Sequence, residues 1–392
     1  MKSLLSWRQA AILILAATFA TASACAAGTA LNDTARFLAG MSVSAGSPLE
    51  PLTKETAFVR HSEAFERAWT RLDTSQLSKV RTWAANNLKE SQPTLFYMFS
   101  GPDFLYANVF FPKATTYVMA GLELPGEAPD IAMLPKSTVA HELDALRGSL
   151  KTVFTYSFFR TIEMRDRLYG RRWTGTAPVL LAFLARSGKT VESVSSIAVD
   201  KDGELHPADT AGRAQGESES QVSAGVKITF TGEDNRKQML YYFATDLSNQ
   251  GTEQSGFLNF CEKLGGGDSL IKSASYLPHS DGFSHVRDFL LNNSVTIVQD
   301  DSGIPFRHYD MTKWDVRPFG NYVRPIPVFR RNYQAELHSF FAKQRSQRLH
   351  FSFGYQWRVG ASAVLLATKK ATQKEQQPAD AKPEKLQPAA FK

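Results

Sequence analysis

Several things are scarce in this sequence, and each scarcity removes a class of function. Cysteine occurs only twice in 392 residues, as Cys25 and Cys261. That excludes a disulfide framework. Cys261 sits at an apolar helical position in Phe257-Leu258-Asn259-Phe260-Cys261 and reads as a core thiol, not a nucleophile. After the first 24 residues no apolar run is long enough to cross a bilayer as a helix. Gly-x-Ser-x-Gly is missing, so there is no hydrolase elbow. His141-Glu142-Leu143-Asp144-Ala145 lacks the second His of a zinc-protease helix, and the acids in that first turn suit the helix dipole without further role. Ser187-Gly188-Lys189-Thr190 lacks the earlier glycine of a phosphate-binding loop. A strong charge of one sign is also missing. Lys and Arg number 45 against 38 Asp and Glu, a formal +7. The last 24 residues carry part of that excess. Nucleic acid is therefore not an expected partner, while a loose attraction to anionic lipid or cell-wall polymer stays open.

What is present begins with the N-terminus. Lys2 and Arg8 precede an apolar run from Ala10 to Ala20, and Ala22-Ser23-Ala24 supplies small residues for cleavage. This is the layout of a signal peptide over residues 1–24. The expected location is exported, periplasmic or secreted. Cys25 is a lipidation candidate, because Ala22-Ser23-Ala24-Cys25 has the form of a bacterial lipobox with Ala22 in place of the usual Leu. A simple cut after Ala24 or Ala26 explains the same residues and is the preferred reading; either way the mature chain does not span the membrane.

Hydrophobic periodicity then gives an α/β body built on a mixed sheet. The expected layout is a linker over 25–56, a first α/β half over 57–200, a polar excursion over 201–225, a second α/β half over 226–368, and a Lys/Gln/Pro/Ala tail over 369–392. In the first half, helices Glu63–Leu72 and Thr74–Leu88 flank a cap at Asp73. Strand Thr94–Phe99 leads through Ser100-Gly101-Pro102-Asp103 into a short helix, then strand Thr115–Leu122 and a long helix from Thr138 to Leu168. Gly232-Glu233-Asp234-Asn235, between Val226–Thr231 and Met239–Ala244, marks a central β-hairpin. The second half repeats the order: helix Phe257–Leu264, strand Ser269–Leu277, the polar turn His279-Ser280-Asp281-Gly282, helix Phe283–Leu291, and strand Ser294–Gln299. A shift of 179 pairs Tyr97 with Tyr276, Phe104 with Phe283 and Phe110 with Phe289. The finer expectation is thus two pseudo-symmetric halves, each with a polar turn at a strand's C-terminal end, where open α/β sheets hold their ligands.

The candidate cleft residues follow from those turns: Ser100, Asp103, His279, Asp281, Asp300, Asp301 and His308. Asp281 is expected to cap its helix, which turns His285 away from His279, so no metal site is read. Asp300 and Asp301 end a strand and are adjacent, so they point in opposite directions; an Asx turn before Gly303 is the favoured role, with acid–base work as the alternative. His308 and Asp310 open an aromatic, basic stretch to Arg331. Its Trp314, Phe319, Tyr322 and Phe329 with Arg317, Arg324, Arg330 and Arg331 line an anion or sugar site in one reading and form a packed wrap in the favoured one. No cofactor is expected. The partners expected are a small ligand or an envelope component.

Phe99-Ser100-Gly101-Pro102-Asp103-Phe104-Leu105-Tyr106-Ala107 and Ile297-Val298-Gln299-Asp300-Asp301-Ser302-Gly303-Ile304-Pro305 resemble a family of uncharacterised exported bacterial proteins. The resemblance implies export and brings no activity. The first functional expectation is a non-catalytic binding or interaction protein of the cell envelope; the alternative is an envelope hydrolase using the strand-end carboxylates.

Overall fold

The computed structural model describes residues 28–156, 171–208, 223–232 and 234–370. The expected signal peptide, Cys25, residues 371–392 of the expected tail, most of the expected polar excursion and residues 157–168 of the expected long helix lie outside them.

Ten strands form one mixed sheet: β1 (Thr94–Tyr97), β2 (Thr116–Gly121), β3 (Thr190–Val199), β4 (Leu205–Pro207), β5 (Ser223–Thr231), β6 (Lys237–Ala244), β7 (Gly267–Ile271), β8 (Ser294–Gln299), β9 (Trp314–Gly320) and β10 (Ala363–Lys369). Their order across the sheet is β4-β3-β5-β6-β2-β1-β7-β8-β10-β9. The five central strands, β6-β2-β1-β7-β8, are parallel, and the strands on both flanks are antiparallel. This split follows composition. Leu95, Phe96 and Tyr97 on β1 and Tyr117, Val118 and Met119 on β2 are buried on both sides, as parallel strands between helical layers require. Flanking β3 carries Glu192, Ser193, Ser195 and Ser196, and much of it faces water.

Alternation along β1 assigns the two layers. Leu95 and Tyr97 join a core with the helices Thr56–Leu72, Phe104–Phe110, Lys136–Tyr156 and Ala177–Arg186. Phe96 and Met98 join the opposite core with Phe257–Lys263 and Ser284–Asn293. The central hairpin is present, with Thr231 paired to Lys237 across a turn in which Asn235 takes φ 57°.

Three expectations need correction. The 25–56 segment is not a tether: residues 28–38 form a helix, and Ala35, Phe37 and Leu38 are fully buried. Ala35, Ala39 and Gly40 read as linker but serve as small, buried packing residues. A Cβ on Gly40 (φ +66°) would lie 2.9 Å from Ser62 Cα. Asp73 caps nothing. Thr56–Leu72 runs through a π turn, Asp73–Leu77, straight into Ser78–Asn87, and Asp73 instead accepts from Arg81 at 2.7 Å. Third, β7 ends at Ile271, six residues earlier than expected.

Strand order places the chain's turning point. From β1 the chain crosses through Phe104–Phe110 to β2 on one side; from β7 it crosses through Ser284–Asn293 to β8 on the other, along the opposite face. The element order therefore recurs. The residue shift does not hold throughout, since Tyr97 ends β1 whereas Tyr276 lies five residues beyond β7. Adjacent β1 and β7 lead their connections away from each other, which opens a crevice at their C-terminal ends.

Candidate functional site

The crevice is built from strand tips. Beyond β1, the amides of Ser100 and Gly101 both donate to Ala120 O, and Gly101 turns with φ +54°. The Ser100 hydroxyl donates to Gly101 O at 2.7 Å. Asp103 caps the short helix: its Oδ1 accepts from the Tyr106 amide at 3.2 Å. Its Oδ2 accepts from Tyr97 Oη at 2.8 Å and lies 2.8 Å from Lys272 Nζ. Lys272 is the first residue after β7, its side chain is only 1% exposed, and its ammonium sits 3.8 Å from the centre of the Tyr106 ring. Burial pushes the Asp103 carboxyl above the usual range, against the pull of Lys272.

The loop after Lys272 is strained. Ser273, Ser275 and Tyr276 have φ of 55°, 52° and 55°, a region that non-glycine residues enter at a cost. Neighbouring groups hold it there. The Ser273 amide donates to Asp300 Oδ2 at 3.1 Å, the Ala274 amide to Ser302 Oγ at 2.8 Å, and the Ser275 amide to Tyr355 Oη at 3.0 Å. Tyr276 Oη donates to Asp301 Oδ2 at 2.6 Å. The two strand-end carboxylates thus point opposite ways, as adjacent residues must, and both act as brackets for this loop. Asp300 also accepts from the Ser302 amide and hydroxyl, the expected Asx turn. A Cβ on Gly354 (φ +67°) would fall 1.8 Å from Asp300 Oδ2, so glycine is required there. Burial raises Asp300, and burial followed by the charge of Asp300 pushes Asp301 up to about 7.

Between the tips of β1, β2, β6 and β7 lies a cavity of about 240 Å³. Ser100 and Asp103 line it, together with Lys272, Ser273, Glu123 and Asp246. Apolar walls come from Phe99, Leu247 and Phe283, and Leu122, 76% exposed, stands at the rim. Glu123 is buried and accepts from Tyr242 Oη at 3.1 Å. Asp246 is exposed and accepts from the amide and hydroxyl of Ser248.

The remaining expected residues stand outside that lining. Asp300 and Asp301 lie behind the strained loop. His279 Nε2 is 3.2 Å from Asp301 O, and burial lowers its pKa to about 4. Asp281 is exposed and does not cap; Ser280 does, accepting from the Gly282 amide at 3.2 Å. His285 Nδ1 faces Thr252 Oγ1 at 3.2 Å, so it and His279 do not converge. His308 closes the short turn Phe306–His308, where burial lowers its pKa. The two turns nevertheless meet: the ring of Phe99, next to Ser100, lies 6.3 Å from that of Phe283, two residues past Asp281. In the 305–331 stretch Trp314, Phe319 and Tyr322 are buried, as a wrap requires, while Arg317, Arg324, Arg330 and Arg331 are exposed.

Sequence reasoning missed Lys272, Glu123 and Asp246. Lys272 had a usable signal, being a lone charge at the end of Ser269-Leu270-Ile271. Comparison of the chain with protein-family models, curated proteins and solved structures finds no match.

Proposed function

We propose that this chain is an exported cell-envelope protein that captures a small ligand in the β1/β7 crevice without transforming it. The observation that carries the reading is the state of the carboxylates around the crevice. Asp103 is tied to Lys272, Tyr97 and the Tyr106 amide, and Asp300 and Asp301 are tied into the loop behind it. Glu123 and Asp246, the remaining carboxylates of the lining, come from separate strand tips and accept from Tyr242 and from Ser248. Hydrolysis needs a pair of such groups within reach of one substrate atom. Binding needs a concave site with a few fixed polar groups and apolar walls. The cavity lies just under the ~300 Å³ lower end of common ligand pockets, which favours a small ligand.

Charge narrows the class. With Asp103 and Lys272 offsetting one another, Glu123 and Asp246 leave the lining negative, beside Phe99, Leu247 and Phe283. A small amine with an apolar body matches that arrangement. Thermal-shift measurements with phenethylamine and with phenylpropionate test it. The amine is expected to raise Tm and the carboxylate to leave it unchanged, with Glu123→Gln and Asp246→Asn together abolishing the amine's effect. A stabilising carboxylate, or an amine shift that survives the double variant, contradicts the reading.

A further inference from the structure

The positive charge of this chain is not spread evenly. Residues 316–370 contain ten Lys or Arg and one acid, Glu336, although the whole chain carries only +7. Everything else is therefore acidic on balance. The basic segment begins within β9, just after Asp315, and runs through the excursion that follows to β10. Within the excursion Arg324, Arg330, Arg331 and Arg358 are all exposed, and among the described residues none of them has an ion-pair partner.

Packing gathers these four. Gln356 Nε2 donates to Arg324 O at 2.7 Å, which lays the 356–358 stretch beside Arg324. Phe329, just before Arg330 and Arg331, packs against Tyr355 with ring centres 5.1 Å apart. Arg358 lies 4.9 Å from the Trp357 ring. That indole is 55% exposed, and Val328, between Arg324 and Arg330, is 77% exposed. Half-buried Phe329 and Tyr355 pack this part of the wrap together, and its exposed side chains are four arginines, an indole and an aliphatic side chain.

We infer that this face docks on an anionic lipid surface. Guanidinium groups are drawn to acidic headgroups, while Trp and Val gain by entering the headgroup–acyl boundary. A nucleic acid or an acidic polysaccharide would satisfy the arginines but give Val328 no apolar partner. This inference does not rest on the crevice reading. No described helix is long and apolar enough to cross a membrane.

Flotation of the full chain with phosphatidylcholine vesicles, with and without about one-third phosphatidylglycerol, tests it. Four neutralised arginines near the surface are expected to weaken binding by ~100-fold or more. The full chain is expected to bind only the anionic vesicles. The variant Arg324→Ser/Arg330→Ser/Arg331→Ser/Arg358→Ser should lose that binding, and Trp357→Ala should weaken it severalfold with the salt dependence retained. All five side chains are exposed, and near-UV circular dichroism checks that the fold persists. Equal binding to neutral vesicles, no binding to either, or wild-type binding by the quadruple variant overturns the inference. So does an unchanged Trp357→Ala variant whose vesicle binding is displaced by dextran sulfate, which would mark a polyanion site instead.

Discussion

At the scale of single residues, the crevice depends on charges that have left water. Lys272 and Asp103 form a pair whose side chains are 1% and 2% exposed. Removing one partner leaves the other buried and uncompensated, which costs about 3–5 kcal/mol, whereas removing both is much milder. Lys272→Met is therefore expected to be strongly destabilising in urea unfolding, and Lys272→Met/Asp103→Asn to recover most of the loss. Additive single effects would mean that the pair is not coupled. Asp301 makes a second case. Its folded pKa of about 7 exceeds the ~3.9 of an exposed aspartate, so folding favours the neutral acid. The stability this supplies is complete below about pH 4 and is lost as pH rises through about 7. Asp301→Asn removes the dependence and keeps an acceptor for Tyr276, with Asp300, Lys272 and His279 left in place. Thermal melts from pH 4 to pH 8 should show the variant gaining on the wild type as pH rises. A constant difference contradicts the assignment.

At the scale of elements, the largest departure from expectation is the N-terminal helix over 28–38. Phe37 is fully buried and its ring centre lies 4.5 Å from that of Phe58, while His61 Nε2 meets Leu38 O at 2.9 Å. Phe37→Ala should cost ~3–5 kcal/mol in chemical denaturation, as core Phe truncations do; a change under ~0.5 kcal/mol would restore the tether reading. Strongly periodic elements were legible from sequence. Ser294–Gln299 is β8 residue for residue, and Pro102 followed by Asp103 opens a helix as expected. The loop after β7 was not legible. Ser273-Ala274-Ser275-Tyr276 contains no glycine, yet three of its residues are left-handed because Asp300, Ser302 and Tyr355 impose it from distant parts of the chain. A local signal cannot announce a conformation imposed from elsewhere, so periodicity alone carries the strand six residues past its end at Ile271.

At the scale of the whole molecule, alternating helix and strand signals carried the α/β class, and strand order decided where the crevice lies. The two polar turns were legible as neighbours because each follows a strand at its C-terminal end. Which side chains enter the space between them was not. Glu123 and Asp246 come from β2 and β6, whose tips reach the crevice only through the parallel pairing β6-β2-β1. The central claim is that this crevice is where the chain meets a ligand. An NMR titration of the full chain with phenethylamine, following backbone amides, tests it most directly. Shifts concentrated at Gly101, Gly121, Glu123 and Ser273, saturating together, are predicted. Saturable shifts confined to another surface, with those four amides unmoved, would contradict it.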